Sequence, residues 1–266
     1  MNGLRLYGRY VALSLRGQMQ YRASFVMLTL GHLLGTGMEF LGVWALFARF
    51  GRLETWSLPE VALFYGMIHM AFALCDATSR GFDVLPSLVR NGEFDQFLLR
   101  PRSTVLQLAG YELTLRRVGR FGQGLAVLLW AVHALEVPWT LAKTFLLVFA
   151  VLGGASLFYG LIVLQATLAF WTTESLEVMN TVTYGGVETA QYPLTIYRDW
   201  FRRFFTWVVP LAGVSYLPAL VLLGRSDPLG SSRVLQWLAP GIGFLFLAVA
   251  LQAWRIGVRH YRSTGS

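Results

Sequence analysis

A chain of 266 residues that is 55% hydrophobic and only 14% charged, with mean hydropathy +0.53, is too apolar for a soluble domain and reads as an integral membrane protein. Its net charge of +8 does not indicate nucleic acid, because 21 of the 22 basic residues are arginines in short groups between apolar runs, with no aromatic-studded basic face. The single cysteine, Cys75, excludes an internal disulfide and any cysteine-based metal cluster, and reads as a small buried side chain.

Residues 2–21 carry Leu4, Tyr7, Val11 and Leu15 near helical spacing beside Arg5, Arg9 and Arg16, which predicts an amphipathic helix lying along the inner membrane surface. The next run is too long for a signal peptide and lacks a convincing cleavage site, so it is expected to remain as the first span. That span, 23–48, is interrupted only by His32, Glu39 and the glycines Gly31, Gly35, Gly37 and Gly42. At about 1.5 Å per residue it exceeds the roughly 30 Å hydrocarbon core. The second span, 59–77, opens on Pro59, a residue suited to a helix start.

The long loop 78–117 contains a charged amphipathic segment, 83–99, too polar to cross a bilayer. Its apolar residues Val84, Leu85, Leu88, Val89, Phe94, Phe97 and Leu98 fit one side of two short helices interrupted at Asn91 and Gly92, and Pro101 ends the second of them. Composition leaves two readings open: a handle for a partner protein, or a loop resting on lipid headgroups. The third and fourth spans are predicted at 118–135 and 141–170, separated by a turn at Glu136 and Pro138 with Trp139 at the interface, and the last at 236–256.

Arginine asymmetry sets the orientation. With the amino terminus inside, fourteen basic residues fall on the inner side and five on the outer, leaving Arg198, Arg202 and Arg203 unassigned, so both termini are expected in the cytoplasm. His32 and Glu39 of the first span lie seven residues apart on nearly one helix face, and His69 falls mid-span in the second, at a depth similar to His32 and within its reach. These residues are candidates either for a translocation path or for interhelical hydrogen bonds that fix packing.

A phosphate-cradling loop would need a lysine after a glycine-rich turn, and the one lysine, Lys143, follows Leu141 and Ala142. The chain therefore cannot hydrolyse ATP by that chemistry, and no catalytic or metal-binding set is expected. A rival reading is an intramembrane serine protease, since Gly154, Ala155, Ser156 and Leu157 have the form such enzymes use. It requires a histidine base from another span, for which His69 and His133 are the candidates, whereas small residues in a membrane helix more commonly serve packing. An ATP-independent channel or secondary carrier is the other alternative.

Two stretches carry a resemblance. Gly92, Glu93, Phe94, Asp95, Gln96, Phe97, Leu98, Leu99, Arg100 and Pro101 resemble the cytoplasmic loop of membrane subunits of type-2 ATP-binding-cassette transporters. Tyr192, Pro193, Leu194, Thr195, Ile196 and Tyr197, followed by Phe205, Thr206, Trp207, Val208, Val209 and Pro210, then Tyr216, Leu217, Pro218 and Ala219, are similar to the segment before the last span of that family, and the tail from Gly257 to Ser266 also agrees. The resemblance covers nearly the whole chain. It implies one all-α transmembrane domain over 1–266 with six spans, working as a dimer with an identical or homologous membrane subunit in the inner membrane. It also implies a separate nucleotide-binding ATPase subunit that binds ATP and Mg and grips Asn91, Gly92, Glu93, Phe94, Asp95, Phe97, Arg100 and Pro101, and it suggests an exporter whose spans one, two and five tilt.

Hydropathy and the resemblance part over 172–233. Hydropathy makes 204–223 the fifth span and leaves Glu174, Glu177, Glu188, Arg198 and Arg203 in a cytoplasmic loop. The resemblance instead makes 176–192 the fifth span and 193–233 an outer region with a re-entrant helical pair, for which Pro210 and Pro218 provide breaks. That fifth span, with Glu177, Asn180 and Glu188, cannot face lipid and would line the pathway or a subunit interface. The second reading is adopted.

Overall fold

The computed structural model describes residues 8–9, 12–13, 16–17, 20, 22–111, 118–135, 137–172 and 176–262, with backbone alone for 176–180. The expected interfacial helix over 2–21 falls almost wholly outside these residues, as do Arg116, Arg117, Glu136, Glu174 and the side chains of Glu177 and Asn180. The fold is all-helical. Among the described residues the extended pairing is one isolated bridge, Leu53 to Trp56, in the turn between the first two long helices.

The long helices are α1 (Arg22–Phe50) and α2 (Leu58–Asp76), followed by four short ones, α3 (Arg80–Asp83), α4 (Leu85–Arg90), α5 (Asp95–Leu98) and α6 (Thr104–Ala109). Then come α7 (Val118–Ala134), α8 (Leu141–Leu168) and α9 (Leu176–Ala190). Helix α10 (Asp199–Arg203) continues as a π-turn, Phe204–Val208, and precedes α11 (Leu211–Val214), α12 (Tyr216–Leu223), α13 (Arg233–Leu238) and α14 (Gly241–His260).

Four of these, α1, α2, α8 and α14, are long and apolar enough to cross a bilayer. The pair Asp199–Val208 and Leu211–Leu223 passes the same test together but is bent by 75°, which makes a fifth crossing only if the pair is counted as one span. Helix α7 has 17 residues and α9 has 15.

Local chemistry explains the boundaries. Helix α2 starts where the Glu60 carboxylate accepts hydrogen bonds from both the backbone N–H and the hydroxyl of Ser57, each at 2.8 Å, with Pro59 in the first turn. The last span begins later than 236, because Ser232 caps the separate helix α13 by accepting from the Leu235 N–H and Pro240 restarts the chain as α14. It also runs on through Arg255 and Arg259 to His260. Of the two prolines expected to break 204–223, Pro210 does so, while Pro218 sits in the first turn of α12, where a backbone donor has no helical acceptor. The second break falls at Ser215 instead.

Helix α8 is the axis of the bundle. It packs along α14 and α2 and touches α9, α11 and α12, whereas α1 packs chiefly on α7 at the edge. The α8–α14 contact is a backbone one: a Cβ on Gly243 would strike the Gly153 carbonyl, and one on Gly153 would strike that of Pro240. This is the close approach that small residues permit between membrane helices. The peripheral position of α1 is plain in its burial: 11% of its span is covered, against 78% for α2.

Candidate functional site

The segment between α2 and α7 folds as a helical staircase. Its turn, 91–94, is set by Gly92 at φ +71, a backbone conformation that a side chain disfavours, and is closed by the Phe94 N–H donating to the Leu88 carbonyl at 3.1 Å. Phe94 is fully buried and Phe97 nearly so, while Asn91, Glu93, Arg100 and Pro101 are exposed and Asp95 is half-buried. Leu98, expected on the covered side, is 42% exposed, and its neighbour Leu99 is 84% exposed.

Phe94 anchors the staircase in an aromatic interlock. Its ring lies 5.0 Å from Tyr261, 5.3 Å from Phe170 and 6.5 Å from Trp254, and Trp254 in turn meets Phe170 at 5.2 Å and Phe82 at 5.5 Å. The Trp254 indole N–H donates to Thr104 at 3.0 Å, and the buried Gln107 amide donates to the carbonyls of Phe97 and Arg102. Such edge-to-face clusters are stiff, since each ring fills the gap left by the others. The interlock therefore ties the segment to the ends of α8 and α14, and to α2 through the covalent link at 77–79.

The charge pair Arg80–Asp83 sits among these apolar contacts. Arg80 lies 3.6 Å from Asp83, one helical turn away. Burial pushes the Asp83 carboxyl above its ordinary range, and the neighbouring Arg80 only partly offsets it.

A second constellation lies within the bundle. His69 is fully buried on α2, with Nε2 3.1 Å from the Gln191 Oε1, and Gln191 donates through Nε2 to Glu188 at 2.6 Å. The Tyr65 ring stacks on His69 at 3.9 Å; its hydroxyl donates to the Thr36 carbonyl at 3.0 Å and accepts from Gln123 at 3.1 Å. The chain thus links α1, α2, α7 and the end of α9 through polar groups that a bilayer interior would otherwise penalise. His69 Nδ1 and Gln123 Oε1 are buried and have no hydrogen-bond partner among the described residues.

His69 pairs with Gln191 and stacks on Tyr65, so the expected contact with His32 is not made. His32 and Glu39 lie on the exposed side of α1, because α1 turns only a narrow stripe toward α7. Glu188 is exposed too, on an open face of α9 shared with Thr181 and Tyr184. Glu188 joins the polar cluster through the bond it accepts from Gln191, so the open face of α9 borders that cluster. Sequence reading missed Tyr65, Gln123 and Gln191. Tyr65 had a signal, since it stands four residues before His69 on the same helix face; Gln191, just past the end of α9, had none beyond its spacing of three from Glu188.

The protease reading finds no catalytic pairing. Ser156 lines a cavity with Leu74, Thr78, Tyr159 and Phe244, whose described lining includes neither histidine nor carboxylate. The base candidate His69 is committed to Gln191.

With the architecture in place, the relationship of the chain is direct. It belongs to the ABC-2 family transporter proteins, whose family pattern matches residues 33–265. The chain is therefore an ABC-2 type permease, a multi-pass membrane protein of an ABC transporter. No curated protein and no solved structure matches it.

Proposed function

We propose that this permease is driven by a separate nucleotide-binding ATPase subunit that grips the 91–101 turn, and that it exports its substrate across the cell membrane. One observation carries the reading: the turn offers Asn91, Glu93, Arg100 and Pro101 to solvent while Phe94 roots it in the ends of α8 and α14. A partner pressing on such a turn moves whole helices rather than bending a loop. ATP and Mg belong to that partner, because this chain has no phosphate-cradling lysine loop.

In this reading both termini and the staircase are cytoplasmic, in agreement with the arginine count. Helix α9 is the fifth of six spans, and 199–223 dips into the outer leaflet and returns. The support is that its two flanks reach the same end of the bundle: Thr195 accepts from Trp56, and Arg225 donates to the Thr55 carbonyl. A second membrane subunit, identical or homologous, covers the open faces of α1 and α9, so that Glu39, Glu188 and the His69 cluster come to border the central path.

Purified alone, the chain should hydrolyse no ATP, and hydrolysis should appear on adding the nucleotide-binding subunit. The double variant Glu93→Lys, Asp95→Lys should insert normally yet lose assembly or coupling, since interfacial charge pairs cost about 2–5 kcal/mol to break. Robust hydrolysis by the isolated chain, transport that ignores ATP, or full coupling in the double variant would overturn the proposal.

A further inference from the structure

Two cavities at the end of the bundle opposite the staircase are one groove. The first, about 340 Å³, is bordered by Arg202, Arg203, Tyr216, Asp227 and Ser231. The second, about 360 Å³, runs beside α14 past Ile242, Leu245, Phe246 and Val249. They share the wall formed by Thr206, Trp207, Ala212, Leu217 and Leu235. The polar half reaches α13 at Leu235, just before α14 begins, and the apolar half extends seven residues along α14 from Ile242 to Val249, about 10 Å at 1.5 Å per residue.

The polar half has a net positive character available to a ligand. The Asp227 carboxylate is already occupied, accepting from the Tyr216 hydroxyl and from the backbone N–H groups of Leu229 and Ser231. Arg202 shares one bond at 2.8 Å with Asp199, which is 76% exposed and so well screened by solvent. Arg203 pairs with no acidic group among the described residues. On the shared wall, Trp207 is 82% exposed, an amphipathic side chain of the kind that settles at a headgroup boundary. Arginines in the polar cavity, tryptophan on the shared wall and an aliphatic trough beyond it match, in order, a phosphate, a glycerol backbone and an acyl chain.

We infer that this groove binds one anionic glycerophospholipid, its phosphate oxygens accepting from Arg203 and Arg202 and one acyl chain lying along α14 toward Val249. Charge complementarity selects the anionic headgroup, and the continuity of the polar cavity with the apolar one selects a lipid over a free anion. The site needs only that these helices lie in a bilayer. It therefore stands or fails independently of how the staircase is driven.

The test uses the full chain, stripped of lipid in detergent, with phosphatidylglycerol and phosphatidylcholine added separately. Native mass spectrometry counts retained lipid, and thermal unfolding follows its effect. Phosphatidylglycerol should be retained and raise the unfolding midpoint more than phosphatidylcholine. Arg203→Gln should weaken that retention about tenfold, the loss of one charge-assisted contact. Val249→Trp, at an exposed position at the foot of the trough, should weaken it independently by obstructing the chain. Equal retention of the two lipids, or phosphatidylglycerol retention unchanged in both variants, would overturn the inference. It would also be overturned if inorganic phosphate alone reproduced the midpoint shift, marking a free-anion site, or if a second copy of the chain occupied the groove and excluded lipid.

Discussion

At the staircase end, Phe94 is packed among the rings of Phe170, Trp254 and Tyr261, with uncharged hydrogen bonds from the Trp254 indole and the Gln107 amide beside them; at the opposite end, Arg225 clasps Glu60 at 2.7 Å, donates to the Thr55 carbonyl and stacks over Trp56 at 4.3 Å. Lys143 adds a bond to the Leu222 carbonyl at 3.0 Å, and Trp56 donates to Thr195. One end is held chiefly by packing and uncharged hydrogen bonds, which respond little to salt. The other is held by charges and directed hydrogen bonds, which can be weakened without unpacking a core. In the drive proposed above, that difference would give a stiff end to transmit the push and a far end whose fastenings can open and close.

The largest effect should come from Phe94→Ala. Removing a fully buried ring from the interlock should cost about 3–5 kcal/mol, read as a lowered unfolding midpoint of the purified chain, and should uncouple the partner ATPase in the complex. Phe94→Leu should retain most of the stability. If alanine at this position left the midpoint near that of the parent, packing would not be what holds the staircase, and the contrast between the ends would collapse.

Arg225→Gln should be milder, about 1–3 kcal/mol, because the guanidinium is 33% exposed and the Glu60 carboxylate keeps its two bonds from Ser57. The sharper readout is ionic strength. Raising salt to about 0.5 M should lower the midpoint of the parent and of Phe94→Ala, yet leave Arg225→Gln almost unmoved, since the Debye length then shrinks to a few ångströms. An equal salt response in all three would show that the far-end clasp carries no electrostatic weight.

How much of this fold is legible in the sequence depends on where each signal resides. The long helices announce themselves through continuous apolar runs, and the staircase through the Asn91–Gly92 turn and Pro101, because those features are local. The interlock is not local: Phe94, Phe170 and Trp254 are far apart in sequence, and nothing in an aromatic residue says which other one it will meet. Likewise His69 reads as a mid-span polar group needing a partner, but the choice of Gln191 over His32 depends on α1 lying at the edge of the bundle, a tertiary fact. The prolines illustrate the same limit. Pro210 breaks the chain and Pro218 opens a helix, and only the position of the neighbouring helix start distinguishes them.

The smallest effect concerns the Arg80–Asp83 charge pair within the packed end. Burial raises the Asp83 carboxyl above its ordinary 3.8, despite Arg80 at 3.6 Å, so the native state holds the proton more tightly than the unfolded chain. Over the interval between the ordinary and the raised value the native state binds more protons, and stability must therefore fall as pH rises through it. Below that window the contribution is fully present; above it the ionised carboxylate sits where burial disfavours charge. Asp83→Asn removes the titration, so its unfolding midpoint should match or slightly exceed that of the parent at neutral pH, and the difference between the two should shrink as the pH is lowered toward 3.8. The side chain is 31% exposed, so solvent screening keeps the change well below that of Phe94→Ala. If Asp83→Asn were instead the less stable protein at neutral pH, the Arg80 pair would outweigh the burial, and the packed end would depend on charge after all, as the far end does.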